Sequence, residues 1–169
     1  MRDRIVELRR VRAAEIVPNP RNWRGHPDAQ RSALRGLLEE VGIADALIAY
    51  HSERAEGALT LVDGHLRREE TLDTEWPVLV LDLTDEEADK ILATLDPLAG
   101  MATTDVEVLA DLLEDIDAKR PELEDLLAQI AQDAGIEPPD FEPVDLEDQS
   151  RLDQKAKIVC PECGHEFAR

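Results

Sequence analysis

The sequence predicts an α/β fold (α+β in arrangement), in which strands and helices share one domain of moderate size with an appendage behind it. The chain has 169 residues, of which 43% are hydrophobic but only 3% aromatic, so the core must consist mainly of Leu, Val, Ile and Ala. Short, β-branched apolar segments indicate strands. Segments with apolar residues every three to four positions indicate helices, and both patterns occur in the first half.

The first half of the chain contains three predicted strands and one clear helix. Residues 4–12 favour an opening strand, although the spacing of their apolar residues also fits a helix. Residues 28–41 are the first clear helix, since four of their apolar residues share one face. Two further strands are predicted at 46–50 and 59–62, with a polar turn between them. The apolar face of the helix consists of Leu34, Leu37, Leu38 and Val41.

The residues after the fourth predicted strand, 76–81, are predicted to be mainly helical. Thr84 and Glu87 form a helix-start signature, because the hydroxyl and the carboxylate can each accept a hydrogen bond from a backbone N–H group of the other residue. We expect this helix to end near Leu95, since Pro97 follows.

Beyond this helix the sequence predicts a helical hairpin, a linker and a tail. Apolar spacing indicates amphipathic helices at 105–119 and 121–134, and the prolines and carboxylates that follow are typical of a disordered linker. The predicted domains are residues 1–96, a helical hairpin at 97–134, an acidic linker at 135–157 and a tail at 158–169.

The net charge of −20 is unevenly distributed along the chain. Residues 1–80 carry 12 basic residues, all Arg, against 14 acidic ones, whereas residues 81–169 carry 7 against 25. An Arg-rich, nearly neutral first half can present a phosphate-binding face, while the acidic second half should repel one. We therefore expect any contact with DNA to involve the first half; the alternative is that the acidity only confers solubility. The candidate DNA-contacting residues are Arg9, Arg10 and Arg24.

Targeting signals are weak in this sequence. No apolar run approaches the roughly 20 residues that a membrane span needs, and the N-terminal segment lacks the apolar region of a signal peptide. We expect a cytoplasmic protein with no membrane partner.

Residues 59–72 are typical of a strand, a tight turn and the start of a helix. The first N–H groups of a helix lack partners within it and lie at the positive end of its dipole. The glycine of the turn leaves these groups accessible, and two arginines follow within one helical turn. The junction therefore predicts a phosphate site, the alternative being an ordinary turn whose arginines pair with nearby glutamates. The predicted phosphate ligands are Gly64, His65, Arg67 and Arg68.

The loop at residues 18–27 is a second candidate segment. Three prolines stiffen it, so the Asn and Arg side chains between them are expected to be held ready for a ligand. Asn19 and Arg21 are therefore added to the predicted phosphate ligands. Trp23 is expected to cover the core beneath the loop.

The tail contains the pattern Cys-Pro-Glu-Cys-Gly-His after a short apolar segment, which is typical of a zinc knuckle. A structural zinc ion takes four ligands, and the tail offers at most three, so a second chain or a partner would supply the rest. The alternative is a degenerate knuckle with two free thiols. The predicted zinc ligands are Cys160, Cys163 and His165.

Three motifs and the order of the elements resemble a known family. The motifs are Pro-Asn-Pro-Arg-Asn at 18–22, Val-Asp-Gly-His-Leu-Arg-Arg-Glu-Glu at 62–70 and Leu-Thr-Asp-Glu-Glu-Ala at 83–88. Residues 3–95 resemble the ParB N-terminal domain of the ParB/sulfiredoxin superfamily, and most closely its short versions from phages and from the neighbourhood of DNA methyltransferases. The resemblance implies a small mixed sheet with helices and a nucleotide pocket between two segments.

The resemblance also implies three chemistries for residues 63–67. Chromosome-partitioning members hold the phosphates of CTP with Gly-Glu-Arg-Arg, of which Gly64 and Arg67 are retained here. Sulfiredoxins have a nucleophilic cysteine where His65 stands, so sulfiredoxin activity is not expected. Another branch phosphorylates free serine and carries Asp-Gly-His-His-Arg, which Asp63-Gly64-His65 and Arg67 resemble.

Together these features favour a nucleotide-binding module in a DNA-associated process such as segregation, phage replication or methyltransferase targeting. CTP or ATP with Mg²⁺ would act as a binding switch by ordering the loop at 19–24. One alternative is a small-molecule kinase or an NTP hydrolase, for which Asp63, His65 and Glu15 are candidate catalytic residues. Another is an adaptor with a vestigial pocket. A homodimer or a protein partner is expected at helices 105–134 and the zinc tail.

Overall fold

The computed structural model describes residues 2–136, 157–159, 163 and 166–168. The chain divides into two compact units, residues 1–136 and 137–169. The strands of the first unit are β1 (Ile5–Arg12), β2 (Leu47–Ser52), β3 (Ala58–Asp63) and β4 (Glu75–Leu81). Its helices are α1 (Asp28–Glu40), α2 (His65–Glu70), α3 (Asp85–Ala99), α4 (Val106–Glu114) and α5 (Pro121–Asp133).

The four strands form one mixed sheet in the order β1-β4-β2-β3. β1 is antiparallel to β4, β2 is antiparallel to β3, and β2 and β4 are parallel. The short turn between β2 and β3 makes them a hairpin, and the parallel strand β4 is reached through α2. The predicted α/β fold with a small mixed sheet is confirmed.

The sheet carries apolar side chains on both faces, as the alternation of residues along a strand requires. One face contains a core around Trp76 and Val78, which are 1% and 0% exposed, against which Leu38 of α1 packs. The other face packs Tyr50 against Ala88 of α3. The β2–β3 half of the sheet thus has apolar contacts on both faces.

Three helix ends differ from the sequence-based expectation. α3 continues through Pro97 to Ala99: the proline lacks one N–H donor, but the N–H of Gly100 still donates to the Asp96 carbonyl at 2.8 Å and closes the helix end. α4 ends at Glu114 instead of residue 119, and the N–H of Lys119 donates to a carboxylate oxygen of Glu40 at 3.1 Å. α2 ends at Glu70, two residues early.

The second unit contains an antiparallel pair of short strands, β5 (Lys157–Val159) and β6 (Glu166–Ala168). Most of the predicted linker and the residues Cys160 and His165 lie outside the described residues. Within the part of the chain that the structure describes, no helix combines the length and the apolarity that a membrane span requires.

Candidate functional site

A cavity of about 460 Å³ opens where the end of β3 meets α1, α2 and α3. Its polar lining comes from four separate parts of the chain: the 22–30 segment, the 42–45 connection before β2, the residues around the β3–α2 turn, and the end of α3. The polar and glycine residues that line it are Asn22, Arg24, His26, Gln30, Gly42, Asp45, Asp63, Gly64, His65, Arg67 and Asp96.

Gly64 makes the tight turn between β3 and α2 possible. Its φ of +94° lies in the left-handed region, which residues with a Cβ atom adopt only at a cost. A Cβ atom at this position would also collide with the side chain of Leu47, and it would approach Nε of Arg67 to 3.3 Å. The absence of a Cβ atom at position 64 therefore leaves room for the Leu47 and Arg67 side chains beside the turn.

Arg67 is held between two carboxylates. Its guanidinium donates to Asp63 at 2.5 Å and pairs with Asp45, and its side chain is only 16% exposed. Burial opposes the ionisation of Asp45, but the N–H of Ala46 and the charge of Arg67 outweigh it and lower the pKa of this carboxyl. Arg67, Asp63 and Asp45 thus form an ion triplet in the cavity lining that carries one excess negative charge.

The apolar face of α1 forms a wall of this cavity. The sequence predicts Leu34, Leu37, Leu38 and Val41 on one face, and the structure places all four in the cavity lining. Leu37 and Val41 remain 41% and 64% exposed, so this wall is open to solvent on one side. Leu92 and Leu95 of α3 complete the apolar surface.

His65 is buried and links the cavity to the 18–27 loop. Its Nε2 atom accepts a hydrogen bond from the backbone N–H of Asn19 at 3.2 Å, which requires that this ring nitrogen carry no proton. Burial lowers the pKa of His65, although Asp63 and Glu69 oppose this effect, so the neutral form is favoured. His65 therefore positions the loop with one nitrogen while its ring lines the cavity.

Three contacts fasten the loop to α3. Arg24 pairs with Asp96 at 2.6 Å, Arg21 pairs with Asp89, and the indole N–H of Trp23 donates to the Leu92 carbonyl at 3.4 Å. The prediction that Trp23 covers the core is wrong, because its side chain lies on the surface, 61% exposed, beneath the Arg24 guanidinium. One of these three pairs, Arg24–Asp96, also lines the cavity.

Several predicted ligands lie away from the cavity lining. Arg68 donates from Nε to the Ile16 carbonyl at 2.7 Å, and Arg21 belongs to the Asp89 pair, so both make structural contacts. Asn19 is buried, and its Oδ1 atom accepts from the N–H of Arg21. Glu15 is exposed in a short 3₁₀ turn, and Arg9 and Arg10 belong to β1.

Asp45, Asp96 and His26 line the cavity but were missed by sequence reasoning. For Asp45 a signal existed: the hairpin of β2 and β3 places Ile48 opposite Asp63, so residues just before β2 lie beside the β3–α2 turn. A carboxylate there was a candidate partner for Arg67. Asp96 had no local signal, since only the docking of α3 brings it to the cavity.

No metal site of three or more His, Cys, Asp or Glu side chains occurs among the described residues. Of the predicted zinc ligands, Cys163 is exposed, and the other two lie outside the described residues. β5 and β6 pair with Val159 opposite Glu166. The zinc prediction is not tested by this arrangement.

The sheet, its helices and the cavity define a small mixed α/β domain with a ligand-sized cavity at one end of a strand. No family model matches the chain, and no curated protein matches its sequence. Among solved structures, it resembles the C-terminally truncated chromosome-partitioning protein ParB from Caulobacter crescentus complexed with CTP-γ-S. The TM-score is 0.52 at 20% identity, over 78% of this chain and 73% of that chain. The chain therefore has a ParB-like fold.

Proposed function

We propose that this chain is a nucleotide-binding module in a DNA-associated process, and that the cavity beside the β3–α2 turn receives the nucleotide. The carrying observation is that Gly64 and Arg67 meet in a cavity of about 460 Å³, within a fold shared with a ParB protein solved with CTP-γ-S. Ligand pockets commonly enclose about 300–1,000 Å³ and combine apolar walls with a few polar groups. The apolar wall suits the base of a nucleotide, and the ion triplet beside it suits the phosphates.

The charges of the ion triplet in the cavity lining support binding of the nucleotide together with Mg²⁺. Arg67 is already paired with Asp45 and Asp63, and the excess negative charge would repel a bare phosphate. Mg²⁺ is usually held by one or two carboxylates together with substrate phosphates. We propose Asp45 and Asp63 as its protein ligands, so that the ion neutralises phosphate charge and Arg67 is released toward the nucleotide.

The loop at 19–24 is the element through which binding would act as a switch. Arg24 and Asp96 both line the cavity and pair with one another, so an anionic ligand would compete with Asp96 for Arg24. A change in this pair would alter how the loop is fastened to α3. Nucleotide binding in the cavity would therefore change the contact between the loop and α3, as a switch requires.

Calorimetry with CTP, ATP and GTP in the presence of Mg²⁺ tests the proposal. We expect selective binding of one nucleotide, with at least a roughly tenfold loss of affinity in Arg67→Ala, because loss of a charge-assisted contact to phosphate costs more than about 1.4 kcal/mol. Arg35→Ala is the matched control, since this arginine is exposed and pairs with Glu70 outside the cavity lining. Failure of all three nucleotides to bind would favour an adaptor.

The same protein preparations separate a switch from an enzyme. The kinase hypothesis has less support, because Nε2 of His65 already accepts a hydrogen bond and Glu15 lies outside the cavity lining. Nucleotide turnover that requires a small acceptor such as serine would nevertheless favour that hypothesis over the switch. Turnover without any acceptor would indicate an NTP hydrolase.

Contact with DNA through the first half, a partner at α4 and α5, and a cytoplasmic location remain our predictions. Arg10 is exposed on β1, whereas the Nε atom of Arg9 is buried, so Arg10 is the better placed of the two. Salt-sensitive duplex binding that weakens in Arg10→Ala would support the contact, and no binding at low salt would remove it.

A further inference from the structure

β1 lies at one edge of the sheet and pairs with β4 alone among the strands that the structure describes. The free edge of such a strand presents backbone N–H and C=O groups that another strand can pair with. Edge strands are usually protected by charged residues or bulges, and β1 has both, including an irregularity between Ile5 and Glu7.

β1 also exposes more apolar surface than a protected edge needs. Ile5, Val6 and Leu8 are 51%, 64% and 65% exposed. Leu8 lies opposite Leu79 and Arg10 opposite Pro77, so these residues share the sheet face of Tyr50. The apolar cluster on that face, which contains Ala88 of α3, reaches Leu81 of β4 but includes no residue of β1. This edge therefore combines free backbone groups with an uncovered apolar strip.

The order of charges along β1 selects one way in which it pairs with itself. If two copies pair antiparallel with equivalent sheet faces on the same side, one residue must lie opposite its own copy at the two-fold axis. An axis at Glu7, Arg9, Arg10 or Arg12 places identical charges opposite one another, which is destabilising. An axis at Val11 sets Arg10 opposite Arg12 of the partner subunit, and Val6 lies in the irregularity of β1, where the regular pairing needed at an axis is interrupted. An axis at Leu8 places two leucines together and sets Glu7 opposite Arg9 of the partner subunit on both sides.

One like-charge pair remains in this register, because Arg12 lies opposite Arg4 of the partner subunit at the ends of the paired strands, where the charge of Arg4 is compensated within its own chain. Within one chain Glu7 and Arg9 already approach to 3.5 Å, so the paired strands would form a square of alternating charges. The two copies of Arg10 would be four residues apart along the strands, roughly 14 Å, which is beyond the Debye length of about 8 Å at physiological ionic strength. Arg4 is already paired with Glu87 at 2.6 Å.

We propose that two copies of this chain associate through antiparallel pairing of their β1 strands, centred on Leu8, which joins their sheets into one. This surface differs from the hairpin and tail surfaces that the sequence suggested, and it does not depend on nucleotide binding. The charges on β1 determine the register: they are complementary to a second copy when Leu8 lies on the axis, and they disfavour pairing with strands of other sequence.

The oligomeric state in solution tests this surface against the helical hairpin. The measurement uses the full-length chain with Cys160→Ser and Cys163→Ser, so that a zinc contact cannot hold two chains together. Val108 of α4 is 64% exposed, nearly the same as Leu8, which makes Val108→Arg a matched control for Leu8→Arg. By analytical ultracentrifugation we expect a dimer, a monomer for Leu8→Arg, and an intact dimer for Val108→Arg. A monomeric parent, or a dimer broken only by Val108→Arg, overturns the proposal.

A charge exchange provides a positive test of the register. Glu7→Arg and Arg9→Glu should each raise the dissociation constant by roughly tenfold or more, since two cross-strand pairs become repulsive in each homodimer. An equimolar mixture of the two variants restores both pairs, so a heterodimer should form. Circular dichroism checks that each variant is folded. Folded variants that stay monomeric when mixed would contradict the Leu8-centred register.

A disulfide at the axis reports the same geometry directly. Leu8→Cys in the cysteine-free full-length chain should oxidise to a covalent dimer, because opposed residues of antiparallel strands lie about 4.5–5.5 Å apart at Cα, within disulfide range. Val108→Cys should not. Equal cross-linking of the two variants would show collision instead of pairing and would count against the proposal.

Discussion

Gly64 combines two constraints that no other glycine among the described residues combines. Its φ is +94°, and a Cβ atom would meet the Leu47 side chain in the core. Gly57 has a similar φ of +82° but open space around it. Comparing Gly64 with Gly57 therefore separates the cost of a left-handed backbone from the cost of a steric clash with Leu47.

We expect Gly64→Ala to lower the free energy of unfolding by roughly 2–4 kcal/mol, because left-handed strain and overpacking add. Gly57→Ala should lose only about 1–2 kcal/mol, the cost of the backbone conformation. Urea denaturation of both variants measures the difference. Equal losses would mean that Leu47 moves aside freely and that the turn tolerates a side chain.

His65 makes the stability of the protein depend on pH. Burial lowers its pKa below the ordinary value of 6.5, so the unfolded chain takes up a proton at a higher pH than the folded chain does. Stability from this residue is therefore complete above about pH 6.5 and is lost as the pH falls. Protonation of Nε2 would also remove the acceptor for the Asn19 N–H.

The expected result is a fall in the free energy of unfolding between about pH 7.5 and 5.5 that is smaller in His65→Gln. Chemical denaturation at several pH values measures it, and His51→Gln serves as the control, because His51 is exposed and contacts only its own hairpin through Gly57. Identical slopes in wild type and His65→Gln would show that His65 does not couple to folding.

Local sequence patterns predict that a helix or strand exists better than they predict where it ends. The strands and helices follow from alternation and periodicity within short windows, and these are present in the sequence itself. α4 ends at Glu114, and in the segment after it the N–H of Lys119 donates to Glu40, a residue 79 positions away, a contact that no local pattern contains. α3 passes Pro97 and ends only after Ala99, so the rule of ending a helix before a proline places this end too early.

The start of α3 combines a local cap with a long-range ion pair. Glu87 accepts two hydrogen bonds from Arg4, at 2.8 and 2.6 Å, and one from the N–H of Thr84. Arg4 and then Thr84 lower the pKa of Glu87 from 4.5 to about 2. The unfolded chain therefore binds a proton here first, and the stability from Glu87 is lost as the pH falls from 4.5 toward 2.

We expect Glu87→Gln to unfold at lower denaturant concentration at pH 7 and to lose less further stability in acid than the wild type. Glu86→Gln is the matched control, since Glu86 lies in the same helical turn but is exposed. Acid denaturation followed by circular dichroism measures both. If the two variants behave alike, the pair with Arg4 contributes nothing beyond the general charge of the first turn.

For the whole molecule, the part of the site that is contiguous in sequence was predictable and the rest was not. Gly64, His65 and Arg67 follow one another on a strand–turn–helix junction, so one motif contains them. Asp45 and Asp96 reach the cavity only through the pairing of β2 with β3 and the docking of α3. The carboxylates that already occupy Arg67 therefore alter the expected chemistry, from a bare cationic clamp to a site that favours a metal-bound phosphate.

The predicted zinc site in the tail leads to one prediction that is independent of the cavity. Cys160, Cys163 and His165 offer three ligands, one fewer than the four that structural zinc takes. We therefore expect one zinc per two chains, lost in Cys160→Ser, as measured by elemental analysis. Leu8→Arg should keep its zinc, because β1 supplies no ligand. Metal-free wild-type chains after growth with zinc would mean that the knuckle is degenerate and that association depends on the first unit alone.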